Sequence, residues 1–198
     1  MSLITLPVKF VPRSCALRLS VNQLAHAAPY GGSEQVIDLL NDRWMLSCEL
    51  SENIRADAGW REGFVGALRG KVNTVALYHF TRPLPLGTLR GSLTLSASAV
   101  QGAASVVLTG GSPATGTLLA GDLIGVSGLL LQVASDCTAA AGVITVPLVN
   151  RLRKALASGA AVTWDRPTAA FRMMSNSGVG TLPDMTGALS FDFAEAIA

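Results

Sequence analysis

Residues Leu118–Ala134 read "LLAGDLIGVSGLLLQVA", a run with one charge, Asp122, and otherwise mostly aliphatic side chains. No other stretch of the chain is as apolar, so it is a membrane span, a ligand pocket or part of a packed protein. A membrane helix needs about 20 continuous apolar residues. Asp122 interrupts early, and Gly125 and Gly128 sit in the interior, which argues against a span. "DLIGV" and "LLLQVAS" instead flank Ser127-Gly128, a two-residue connection of the kind that joins hairpin strands. Leu123, Gly125 and Ser127 share one face of the first arm and Ile124 and Val126 the other, and neither face is suited to water. The stretch is expected to be a β-hairpin buried in a small barrel. Its greasiness is expected to signal subunit assembly.

The surroundings extend this reading. From Gly91 to Thr163 the chain has no aromatic residue and is rich in Ala, Gly, Ser, Thr, Leu and Val. Short β-rich segments, "ASVVLTG", "GDLIGV", "LLLQVAS", "GVITVPL" and "AAVTW", are separated by Gly, Ser, Pro and Asp, the pattern of a small sandwich or barrel. "LVNRLRKALASG" reads as a helical turn or an irregular crossover. "GGSPATG" (Gly110–Gly116) lacks the GK[ST] ending of a phosphate loop and precedes a β segment, so a flexible connector is expected.

Outside this region, "SCALRLSVN" and "RWMLSCEL" alternate, with Cys15, Leu17, Leu19 and Val21 on one face and Trp44, Leu46, Cys48 and Leu50 on the other strand's apolar face. They are expected to pair antiparallel, with "HAAPYGGSEQ" as the turn or loop between them. One amphipathic helix is expected over about 55–69, burying Trp60, Phe64 and Leu68 with Ala56 and Ala67 on the same stripe. Arg61 and Arg69 are placed on other faces, and Gly70 stops the helix. Gly59, Gly63 and Gly66 are costly in a helix and suggest close approach of a neighbouring backbone. "NTVALYHF", "TAAFRMM" and "ALSFDFAEAIA" read as strands, and "SNSGVGTLPDMTG" as a loop. Gly87 is expected to allow a tight reversal in the turn "TRPLPLGT".

The expected fold is therefore mainly β with one amphipathic helix (α+β). An antiparallel outer domain, residues 1–90 plus 166–198, would carry an inserted small β-barrel or sandwich over 91–165.

Composition bounds the function. Charged residues make up 14% of the 198, against ~25% in ordinary soluble domains, while 49% are hydrophobic and the mean hydropathy is +0.43. Such a shortage of charge suggests an exterior covered by other subunits. A net charge of +2 gives no footprint for nucleic acid, and "RLRK" (Arg151–Lys154) reads as a solvated or subunit-facing patch. Cys15, Cys48 and Cys137 have no CxxC spacing, so neither a metal nor a disulfide framework is expected, and the first two read as small buried hydrophobes. The N-terminus lacks a signal-peptide core, so synthesis in the cytosol is expected.

No catalytic constellation emerges. His26 and His79 form no HExxH or Cys/His cluster, and there is no G-x-S-x-G elbow. Asp122, opening an apolar strand after Ala-Gly, is expected to bond local backbone N–H groups. No catalytic, cofactor or metal residue is assigned. The residues expected to carry structure or assembly are Trp44, Trp60, Phe64, Leu68, Gly70, Asp122, Gly128 and Trp164.

Two blocks in order carry a resemblance: "DRWMLSCELSENIRADAGWREGFVGALRGKVNTVALYHFTRPLPLG", and then "LLAGDLIGVSGLLLQVASD" followed by "ITVPLVNRLRKALASGAAVTWDRPTAAFRM". Over roughly Asp42 to Met174 the chain resembles the distal-tail, baseplate and tail-tip structural proteins of tailed bacteriophages. It departs from them after "AGD", where Leu123 and Ile124 stand in place of a polar or aromatic residue. The resemblance implies a non-enzymatic virion component without cofactor, made in the host bacterial cytoplasm. It implies a ring, six-fold by family expectation, joining the tail tube to the hub and other tail-tip proteins, without a membrane span or nucleic-acid sequence recognition. A head-to-tail connector or other phage ring, and a tail module binding carbohydrate or receptor, are the alternatives.

Overall fold

The computed structural model describes residues 2–27, 31–51, 55–175 and 189–197. The fold is mainly β with one helix among the described residues, and a sheet curls into a half-barrel. The loop expected over 176–188 lies outside the described residues.

The first sheet has the order β1 (Leu3–Ile4), β6 (Thr74–Leu77), β15 (Ala169–Met173), β16 (Leu189–Glu195), β5 (Arg43–Leu50), β2 (Ser14–Ser20). Its pairs are antiparallel except for β1 with β6. The two alternating segments of the sequence are neighbours here, with Cys15 opposite Cys48, Leu17 opposite Leu46 and Leu19 opposite Trp44. Period-2 alternation sends Trp44, Leu46, Cys48, Leu50, Phe191 and Phe193 inward. Ser47 and Asp192 face outward and hydrogen-bond at 2.6 Å.

The helix α1 (Arg55–Leu68) lays Phe64 and Leu68 on that inner face, with Trp60 packed at its margin. Phe10 wedges in beside Phe64, ring centroids 5.5 Å apart. Gly70, at φ 62, turns the chain out of the helix, and Asn73 Nδ2 donates to the Ala67 carbonyl at 2.8 Å. Two expectations for the helix need correction. Arg61 is buried rather than solvated: it is 3% exposed, and its guanidinium donates to the Ser51 carbonyl at 3.1 Å. Among the described residues no backbone approaches Gly59 or Gly63, since a Cβ at either position would meet nothing within 4 Å. They cost helix propensity without a packing return. Gly59→Ala and Gly63→Ala are therefore expected to stabilise the fold by about 1 kcal/mol each, read as a raised denaturant midpoint.

The second sheet has the order β11 (Leu129–Gln132), β10 (Leu123–Val126), β14 (Ala161–Thr163), β7 (Arg90–Leu95), β8 (Ser105–Ser112), β13 (Val143–Pro147), and β12 (Cys137–Thr138) pairs with β9 (Thr117–Leu118) beside it. All of these strands come from residues 90–163, and none pairs with a first-sheet strand among the described residues. All five β-rich segments read from this region contain a strand. "LVNRLRKALASG" is an irregular crossover, pinned by isolated bridges at Leu148 and Leu156. "GGSPATG" is no flexible connector: its first three residues belong to β8, and Gly111 presses on Leu89, which is 1% exposed.

The hairpin β10–β11 is where the two sheets meet. Ser127 and Gly128, at φ 48 and 79, make the two-residue turn with both central residues left-handed, as strand twist prefers. Ile124, Val126, Leu129 and Leu131 enter the core of the second sheet, while Leu123 and Leu130 enter the core of the first. This corrects the reading of the greasiness as a sign of assembly. The hairpin is apolar on both faces because each face fills a different core of the same chain.

Candidate functional site

Two features stand out: a buried polar seam between the sheets, and an exposed arm. The seam begins at the Leu130 carbonyl, which accepts from Trp44 Nε1 at 2.8 Å and from Asn150 Nδ2 at 3.0 Å. Asn150 Oδ1 in turn accepts from the Gln132 N–H at 3.0 Å. Next to it the Arg153 guanidinium forms a two-pronged ion pair with Glu195 and donates to the Asp42 carbonyl at 3.2 Å. Glu195 Oε2 also accepts from the Trp44 N–H at 3.2 Å. "RLRK" is a solvated patch only in part, since Arg151 and Lys154 are exposed. Leu152 is fully buried, Arg153 is spent in the seam, and Lys154 donates to the Ser127 carbonyl at 2.7 Å across the hairpin turn.

The chain passes between the sheets over 83–89 and returns over 164–167. Asp122 organises the first crossing: Oδ1 accepts from Leu86 N–H at 2.8 Å, and Oδ2 from Gly87 and Leu119 N–H at 3.1 and 2.8 Å. Arg90 collects the carbonyls of the same turn, those of Pro85, Gly87 and Leu89. Gly87 is required less by conformation than by space, since a Cβ there would sit 2.2 Å from the Thr117 oxygen. Trp164 lies under Arg90, 5.0 Å from guanidinium to ring, and donates to the Gly91 carbonyl, while Arg166 N–H donates to Pro83. The two crossings are bound to each other.

The arm continues the β2–β5 pair beyond the first sheet. Strands β3 (Gln23–Ala27) and β4 (Glu34–Asp38) pair antiparallel, so the turn expected from "HAAPYGGSEQ" is narrower than read, and residues 28–30 lie outside the described residues. All ten residues of the two strands are exposed. Cross-strand pairs Leu24–Ile37 and Ala25–Val36 put apolar side chains on both faces. Asn22 anchors the base, donating its N–H to the Asp42 carboxylate and its Nδ2 to the Leu40 carbonyl. An exposed Arg151–Asp38 pair at 3.5 Å spans from the second sheet. A two-stranded hairpin without a core is marginal in water, and among the described residues no strand pairs with either outer edge.

Of the residues singled out in the sequence, Trp44 and Asp122 hold the seam and the crossing, and Trp164 braces the latter. Trp60, Phe64, Leu68 and Gly70 belong to the helix and the first core, and Gly128 to the hairpin turn. They do not converge on one site. Missed were Arg153, Glu195 and Asn150, and the arm residues Leu24, Val36 and Ile37. His79 serves a turn: its Nδ1 accepts from the Arg82 N–H at 3.2 Å, and burial, then the Arg82 charge, hold its pKa below the usual value. Among the described residues no three His, Cys, Asp or Glu side chains are grouped to hold a metal, and no helix is long and apolar enough to cross a membrane. No protein-family model matches the chain, and no curated protein matches it.

Proposed function

We propose that this chain is a structural subunit of a bacteriophage tail, assembling with copies of itself into a ring at the distal tail or baseplate. The observation that carries the self-association is the arm, which exposes Leu24, Val36 and Ile37 to 46%, 55% and 40% and has no core of its own. Burying both faces and an edge against a neighbouring copy supplies what the arm lacks within the chain. The low charge of the chain and the tail-protein resemblance over Asp42 to Met174 support the same reading. The ring's axial partners would be the tail tube and the hub, and no reaction is assigned to the chain.

Light scattering and electron microscopy of the full chain test it. The wild type is expected as rings, and Leu24→Glu combined with Ile37→Lys as a monomer with the far-ultraviolet circular dichroism of a folded chain. Opposite charges were chosen so that the cross-strand pair still favours the hairpin. A wild type that stays monomeric at high concentration, or a variant that still forms rings, overturns the proposal.

A further inference from the structure

The β2–β5 pair carries, at its end away from the arm, two thiols that nothing above uses. Cys15 on β2 and Cys48 on β5 are directly opposed in register, both are free, and their Sγ atoms lie 3.5 Å apart. Opposed positions on antiparallel strands hold their Cα atoms about 4.5–5.5 Å apart, inside the range of about 4.4–6.8 Å that a disulfide bridges. Cys48 is buried in the first core, but Cys15 is only half-buried at that core's margin. A small oxidant therefore has a way in.

We propose that Cys15 and Cys48 are a reversible oxidation site that closes to a disulfide across the β2–β5 pair. The pair is chemically asymmetric. The hydrogen bond from Cys48, and then one from the Phe80 backbone, hold the Cys15 thiol below its usual pKa despite partial burial. The same contact and burial push Cys48 up, so it stays protonated. Cys15, the more exposed of the two, is the attacking sulfur and the buried Cys48 the resolving one.

With a peroxide as oxidant, the Cys15 thiolate attacks one oxygen, an S–O bond forms, the O–O bond breaks, and the departing hydroxide takes a proton to become water. Cys48 then gives up its proton and attacks the sulfenic sulfur, the S–S bond forms, the S–O bond breaks, and a second water leaves. Two thiols lose two electrons and two hydrogens, and one peroxide becomes two waters. A dithiol reductant reverses it by exchange. The site is reduced in a reducing compartment and closed in an oxidising one. It does not depend on the role proposed for the arm.

The test treats the folded full chain with hydrogen peroxide, quenches, denatures, alkylates with N-ethylmaleimide and reads intact mass. The reduced protein is expected to take three labels and the oxidised protein one, on Cys137, with a Cys15–Cys48 linked peptide on digestion. Cys137→Ser should keep the bridge, whereas Cys15→Ser and Cys48→Ser should abolish it. Three labels after peroxide, a bridge to Cys137 or between chains, or a sulfinic acid at Cys15 without a bridge overturns the proposal.

Discussion

Asp122→Ala is expected to lower the unfolding free energy by about 4 kcal/mol, measured by chemical denaturation. The carboxylate is 4% exposed and accepts three backbone N–H groups, from Leu86, Gly87 and Leu119. Each buried donor left without an acceptor costs about 1–3 kcal/mol, and partial relaxation with water entry keeps the sum toward the lower end. Asp122→Asn retains one acceptor oxygen, but its amide nitrogen then confronts donors, so a loss of about 2 kcal/mol is expected. Space limits the relaxation, because Gly87 already lies against the Thr117–Leu118 backbone and the turn cannot sink toward Asp122's place. A loss under about 1 kcal/mol in the alanine variant would mean that Arg90 and Trp164 hold the crossing alone.

How much of this was legible depends on whether a residue's partner lies nearby in sequence or in pattern. The β10–β11 hairpin was readable because a two-residue Ser-Gly turn between apolar arms has few other uses. The pairing of β2 with β5 was readable because both strands alternate with the same period. The meaning of the hairpin's greasiness was not readable. Nothing local distinguishes Leu130, which fills the first core, from Leu129 and Leu131, which fill the second. Burial against a second core of the same chain and burial against a neighbouring subunit leave the same composition.

Arg61 was misplaced for a related reason: helical spacing locates a Cα but not the reach of a long side chain, and the Ser51 carbonyl lies within that reach. The arm was read as turn because "HAAPYGGSEQ" has the composition of one, although its outer residues pair as strands. The two cysteines were set aside for their wide spacing in the chain. Yet the register that the folded chain adopts, with Leu17 beside Leu46, places Cys15 beside Cys48.

Glu195 was the most readable of the residues missed, and it carries the second large effect. The alternation of Leu189, Phe191 and Phe193 continues to position 195, so a carboxylate stands on an apolar face and demands a cation. Arg153, 42 residues upstream, supplies it, and the two side chains are 2% and 11% exposed. Glu195 also ends the strand ladder: β16 pairs with β5 as far as Ala194–Met45, and beyond that the Trp44 N–H turns to the Glu195 carboxylate. Glu195→Ala strands both a buried guanidinium and a buried N–H, and is expected to cost about 3–5 kcal/mol. Arg153→Met with Glu195→Leu removes the charges together and fills the space. It should fall within about 2 kcal/mol of wild type, the remainder reflecting the lost bonds to Asp42 and Trp44. A double-mutant cycle on these two positions measures the coupling. If the double variant is as unstable as Glu195→Ala alone, the ion pair itself supplies that stability, and the loss in the single variant is not the penalty of a stranded charge.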